Sequence, residues 1–190
     1  KKKARKILDI NEKEKIILFG AFDLSSEIKG GHLLKKALKI LDSIIKKDNS
    51  KKIRLITIGE KNNFNLNTKK IQWSHFGVIS SNKRLNLLYR SADILVCPSL
   101  YCFGPHIVTE ALLNDLPVVG FDLGVAQDTV INGVNGYLVP RYNNKIFARS
   151  IHKILYSKKN TKKNDTVNKV KSFCSSEYEA DTIINFSQKD

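Results

Sequence analysis

Methionine is missing from this 190-residue chain, cysteine and arginine are scarce, and acidic residues are outnumbered almost two to one. Each shortage excludes something. The cysteines are Cys97, Cys102 and Cys174, odd in number and without C-x-x-C spacing, so neither a disulfide framework nor a zinc cluster is implied. A reducing cytoplasm is the expected compartment. No apolar run approaches the ~18 to 20 residues of a membrane span, and no signal peptide is visible. A chain that opens on Lys1 and carries no Met is expected to be a fragment, half of a two-domain protein.

Against 18 Asp and Glu stand 33 Lys and Arg, a formal charge of +15. Only Arg5, Arg54, Arg84, Arg90, Arg141 and Arg149 are arginine. A dedicated nucleic-acid reader leans on Arg for bidentate contacts to bases and phosphates, so this bias argues against specific nucleic-acid binding. Lysines cluster at the ends, in Lys1-Lys2-Lys3 and around Lys158, Lys159, Lys162 and Lys163. Two readings stand: a solvated Lys-rich surface, or attraction to an anionic membrane surface on the inner leaflet.

What is present is a regular alternation. Strands are expected at Lys15–Gly20, Ile53–Gly59, Ile71–Val78, Ile94–Cys97, Leu116–Phe121 and Gly136–Val139. Helices are expected at His32–Lys47, Lys83–Ser91, Pro105–Asn114, Ala126–Ile131 and Asn143–Tyr156. Leu33, Leu34, Ala37, Leu38, Leu41, Ile44 and Ile45 fall at helical spacing. Residues 1–14 read as a basic helix end and a linker, and 165–185 as a helix with an apolar stripe at Val170, Phe173, Tyr178 and Ile183. Strands alternating with helices at these lengths predict an α/β fold, a doubly wound parallel sheet of Rossmann-like type. No internal repeat or low-complexity tract appears.

The richest stretch is Ser91 to Arg141. Ile94-Leu95-Val96-Cys97 is a short continuous apolar run, as expected of a strand covered on both faces. It breaks at Pro98-Ser99 and reaches Gly104-Pro105, where a Pro is pre-organised to start a helix. Free amides at that helix start suit an anion. Strand, loop, helix and strand make a βαβ unit, whose loop lies where open α/β sheets bind ligands.

These residues resemble the donor-binding half of family 4 glycosyltransferases, retaining enzymes of the two-domain GT-B architecture. Ala92-Asp93-Ile94-Leu95-Val96-Cys97-Pro98-Ser99 is similar to their ADxxVxPS strand. Cys102, seven residues, Glu110 and then Pro117-Val118-Val119 follow the spacing of their paired acids and PVV strand. Asn132-Gly133-Val134-Asn135-Gly136-Tyr137-Leu138-Val139 resembles their NGxxGxLV turn. Ile16 to Ala21 followed by Lys29-Gly30 resembles their first strand and phosphate-binding Lys-Gly. The likeness runs from about residue 15 to residue 186, which makes 15–186 the expected donor domain, 1–14 a linker and 187–190 a tail.

The resemblance implies roles. Lys29 and Glu110 are the expected catalytic residues, Lys29 stabilising diphosphate oxygens as the sugar departs and Glu110 accepting hydrogen bonds from ribose hydroxyls. Gly20 is expected beside the diphosphate, with Gly104, Pro105 and their neighbours Phe103 and His106 at the helix start. Gly77, Val78 and Ile79 are expected against the base. Trp73 is read as a core or surface aromatic, and Gly133 and Gly136 as turn residues.

Two positions depart from the pattern. Cys102 stands where the first acid should be, and a thiol is a weak donor and acceptor that does not replace a carboxylate. Asp23 stands where many members carry Arg.

The implied function is transfer of a sugar from a UDP- or GDP-sugar to a glycan or lipid-linked acceptor. No metal or other cofactor is expected. The acceptor site would lie in an N-terminal domain outside this chain, so the chain alone is expected to bind donor without turnover. A rival reading keeps the fold as a non-catalytic nucleotide- or protein-binding module, supported by Cys102 and Asp23.

Overall fold

The computed structural model describes residues 1–45, 52–101, 106–156 and residue 170. Cys102, Phe103, Gly104 and Pro105 lie outside them, as do Cys174 and the rest of the expected C-terminal helix. Val170 is described and buried.

Among the described residues six strands alternate with helices, except that β3 follows β2 directly. The strands are β1 (Lys15–Asp23), β2 (Ile53–Glu60), β3 (Ile71–His75), β4 (Ile94–Cys97), β5 (Val118–Phe121) and β6 (Gly136–Val139). The helices are α1 (Lys2–Ile7), α2 (Gly31–Ile44), α3 (Asn82–Ser91), α4 (His106–Leu113), α5 (Gly124–Thr129) and α6 (Asn144–Tyr156). Every strand pair is parallel, in the order β3-β2-β1-β4-β5-β6. The α/β, doubly wound reading therefore holds, and the order reverses between β1 and β4.

Period-two alternation explains why the strands read as continuous apolar runs. On β1, Ile17 and Phe19 join the core layer that includes α2 and α6, while Ile16 and Leu18 join the opposite layer. On β4, Ile94 and Val96 take the first side, and Leu95 and Cys97 the second. Each side is covered by helices, so no residue of these runs is free to be polar. A fully buried Leu or Ile contributes about 1.5–3 kcal/mol, so these strands anchor both layers.

Boundaries of β1, β3 and α5 differ from expectation, and β5 begins two residues late, at Val118. β1 runs three residues beyond Gly20, because a register shift after Gly20 lets Asp23 pair with Glu60. β3 stops at His75 instead of Val78: Gly77 turns the chain with a φ of 70°, and its carbonyl accepts the Gly59 amide at 2.9 Å. α5 begins and ends two residues early, at Gly124 and Thr129.

Helix α1 is docked by a buried arginine. Arg5 donates to the carbonyls of Ser91, Glu12 and Glu14 and to Asp93 Oδ2, the last at 2.8 Å. Asp93 also accepts the Ile16 amide at 2.7 Å and the Lys1 ammonium at 2.6 Å. Burial alone would raise the Asp93 pKa. The Lys1 charge and hydrogen bond, the Ile16 amide and the Arg5 charge outweigh it and hold the carboxyl below its ordinary value. Asp93, a motif position, thus ties α1 to the Ile16 amide near the start of β1.

The Asn132–Gly136 motif is likewise structural. Asn135 donates to the Thr129 carbonyl at 3.0 Å and accepts the Ile131 amide at 2.7 Å. A Cβ on Gly136 would overlap the Val118 carbonyl, so glycine permits β6 to approach β5. Trp73 packs edge-on against Phe64 and donates to Thr57 Oγ1 at 2.9 Å, as expected of a core-side aromatic.

Candidate functional site

An open cleft of about 390 Å³ lies over the carboxyl ends of β1 and β4. That is where the strand order reverses, the position at which open α/β sheets take ligands. Gly20, Lys29, Val78, Ile79, His106 and Glu110 all line it. Gly77 does not; it makes the turn that delivers Val78 and Ile79.

Lys29 is placed by what surrounds it. Gly30 has a φ of 71° and opens α2 by accepting the amides of Leu33 and Leu34, both at 2.9 Å. A Cβ on Gly30 would overlap the Pro98 carbonyl oxygen. The Leu100 amide donates to the Ile28 carbonyl at 2.8 Å. The loop after β4 therefore lies directly on the loop that carries Lys29. Lys29 is half-buried, lines the cleft and makes no ion pair with any described residue.

The floor is shaped by glycines. A Cβ on Gly20 would come within 2.6 Å of Ile107 Cδ1 and 2.8 Å of Ile58 Cγ1. Gly59, with a φ of 116°, lies so near the Ala21 carbonyl that any side chain would collide with it. Ser99 and Cys97 line the wall at the end of β4, with their side-chain oxygen and sulfur 3.8 Å apart.

Asp23, the last residue of β1, does not line the cleft and turns back on its own backbone. Its Oδ1 accepts both the amide and the hydroxyl of Ser25, each at 2.7 Å. The Ser25 hydroxyl first, then Asn62 and the Ser25 amide, hold its pKa below the ordinary carboxylate value. The carboxylate is thereby engaged in turn formation.

Glu110, on the second turn of α4, accepts a hydrogen bond at Oε2 from the Tyr89 hydroxyl of α3, at 2.6 Å. Tyr89 is 2% exposed and itself lines the cleft. Burial raises its pKa, and the Glu110 hydrogen bond and charge raise it further, so the phenol keeps its proton and donates. The helix expected at Lys83–Ser91 includes Tyr89, but sequence reasoning missed this contact. The available signal was the hydroxyl itself, since a buried Tyr finds a hydrogen-bond partner. Phe22, Gly59 and Ser99 were missed as well.

Over residues 1–171 the sequence matches the family described as glycosyl transferases group 1. A curated relative, the amylovoran biosynthesis glycosyltransferase AmsD of Erwinia amylovora, is 26% identical over 80 residues, covering 42% of this chain and 22% of the relative. Among solved structures, the sucrose-phosphate synthase of Thermosynechococcus elongatus superposes with a TM-score of 0.73 at 22% identity. That match covers 100% of this chain and 48% of the synthase. The pneumococcal O-GlcNAc transferase GtfA, solved with UDP and GlcNAc, superposes with a TM-score of 0.60 at 16% identity, covering 94% of this chain and 37% of GtfA. At these identities the structural likenesses establish the fold. The chain spans half or less of the length of each of these relatives.

Proposed function

The chain belongs to the group 1 glycosyl transferases, and from that premise we propose that its cleft binds a UDP- or GDP-sugar, the donor of a retaining sugar transfer. The observation that carries this reading is the convergence of Lys29 and Glu110 on one cleft at the β1/β4 reversal. A relative of the same fold, GtfA, was solved with UDP.

During transfer the bond between the anomeric carbon and the diphosphate oxygen breaks, and its electron pair leaves with the diphosphate. Lys29 supplies a fixed positive charge where that negative charge grows, which is worth more in a partly desolvated cleft than in water. Glu110 accepts hydrogen bonds from the ribose hydroxyls. Val78 and Ile79 take the base, with Gly20 giving the backbone its close approach to the diphosphate. His106 and the residues from Cys102 to Pro105 complete the phosphate side. Fixed charges of this kind make a metal unnecessary. The acceptor, a glycan or lipid-linked sugar, is held by a further domain of the whole protein, so this chain binds donor without turnover.

Calorimetric titration with UDP, GDP and their sugar conjugates, with and without Mg²⁺, tests the reading. Binding of one diphosphate that is lost in Glu110→Ala supports it. Failure to bind any of them would sink it for this chain.

A second reading, a non-catalytic module of the same fold, draws on Asp23, whose carboxylate is committed to the Ser25 turn, and on Cys102. Cys102→Glu separates the two. In a donor site that change tightens sugar-nucleotide binding over bare nucleotide; in the module it leaves the preference unchanged.

For location we propose attachment to an anionic membrane surface from the cytoplasmic side. Lys35, Lys36 and Lys39 of α2 and Lys145, Arg149 and Lys153 of α6 form no ion pair with described residues. Tyr142 and Ile146 are exposed beside the α6 cations. Among the described residues no helix is long and apolar enough to cross a membrane.

A further inference from the structure

Glu110 is not held by α4 alone. Helix α3 holds the Glu110 carboxylate directly and meets the end of α4 about one turn away. Tyr89 donates to Glu110 Oε2 at 2.6 Å, and Asn86 Oδ1 accepts from Asn114 Nδ2 at 3.1 Å. Asn114 also donates to the Glu110 carbonyl at 3.0 Å. Only the Tyr89 contact reaches the carboxylate; the Asn86–Asn114 contact joins the two helices away from it.

The two carboxylate oxygens are not equivalent. Oε2 is occupied by the buried phenol, whereas Oε1 has no hydrogen-bond partner among the described residues. Glu110 and Tyr89 line the same cleft. A Glu side chain carries three rotatable bonds, and an exposed one samples several rotamers; a hydrogen bond from a group packed in the core removes most of that freedom.

We infer that Tyr89 is a positioning residue for donor binding, its hydroxyl holding Glu110 Oε2 so that Oε1 is the oxygen offered to the ribose hydroxyls. The inference rests on the donor-site reading above and extends it to a residue outside the motif. Recognition of the ribose then depends on two helices. Removing the hydroxyl lets the carboxylate rotate, and the discrimination between ribose and a sugar lacking its hydroxyls falls.

Tyr89→Phe tests this, because it deletes one oxygen and keeps the ring in the core. Affinities of the chain and the variant are measured by calorimetry for UDP, GDP, their 2′,3′-dideoxy analogues and inorganic pyrophosphate. A hydrogen bond to a charged group is worth enough that the ribose-to-dideoxyribose preference should fall about tenfold in Tyr89→Phe. Pyrophosphate affinity should be unchanged. Asn86→Ala, which cuts the other tie between the helices, should leave the preference near that of the parent.

Equal losses for ribose and dideoxyribose ligands in Tyr89→Phe would mean a merely structural role and overturn the inference. So would an unchanged preference, or the same fall in Asn86→Ala. A parent chain that binds every diphosphate without regard to the ribose hydroxyls also overturns it, while leaving the diphosphate site intact. A parent chain that binds none overturns the donor reading and this inference together.

Discussion

Gly30 and Pro98 touch through backbone: a β-carbon on Gly30 would overlap the Pro98 carbonyl oxygen, and Gly30 holds a φ of 71°. Gly77 has nearly the same φ, 70°, yet nothing lies within 4 Å of the place its Cβ would take. The pair separates conformational strain from collision. Gly77→Ala should cost about 1–2 kcal/mol, the price of a left-handed backbone for a residue with a side chain. Gly30→Ala should cost clearly more and displace Lys29 with it. Denaturant unfolding of both variants checks this, and equal costs would refute the close approach.

Asp93 makes stability depend on acid. Its pKa is held below the ordinary value in the fold, so its contribution is fully present above the unfolded carboxylate value of about 3.9 and is lost as pH falls through the folded one. Asp93→Asn should destabilise the chain by about 3 kcal/mol at neutral pH, because it leaves the Arg5 guanidinium buried without its counter-charge. The deficit should shrink as pH falls below the unfolded value. Unfolding curves at pH 7 and at acid pH show whether parent and variant converge; a constant gap would contradict the account.

Lys29→Ala should weaken diphosphate binding by about ten- to a hundredfold, the scale of one lost charge-assisted contact in a partly desolvated site. Binding of the bare nucleoside should hardly change, because the ammonium serves the phosphates. Side-by-side titration with UDP and uridine reads the difference. Parallel losses would place Lys29 outside the phosphate contact.

Reversing the α6 charges with Lys145→Glu, Arg149→Glu and Lys153→Glu should leave the melting temperature almost unchanged, since all three are exposed. Co-sedimentation with phosphatidylglycerol vesicles should fall by at least about tenfold, given about 1 kcal/mol per cation near an anionic surface. Lys83→Glu with Arg84→Glu, on α3 of the other layer, serves as the comparison. If both sets lower vesicle binding equally, net charge and not the α6 face is responsible.

Much of this was legible in the sequence. Short apolar runs such as Ile94–Cys97 can be buried on both faces only in a covered parallel sheet, and the spacing of Leu34, Leu38 and Leu41 allowed little but a helix on it. Lys29, Val78, Ile79, His106 and Glu110 were named from motif spacing and meet in one cleft. The strand order was not legible, because it depends on pairing between β1 and β4, which lie far apart in the chain. Nor was the end of β3, where the decisive contact is the Gly77 carbonyl with the Gly59 amide. Tyr89 escaped for a similar reason: helical spacing shows that a residue is buried, not which hydroxyl acceptor awaits it on another helix.

Helix α6 packs against α2 as well as the sheet, and the two share one apolar cluster. In a chain emerging from a ribosome, α2 is complete long before α6 exists. Its flank beside Leu34, Leu38 and Leu41 then waits through five further strands for its neighbour. Non-local closure of this kind slows folding and leaves apolar surface open to other chains meanwhile. A nascent chain halted before Asn144 would therefore be the species most in need of a chaperone.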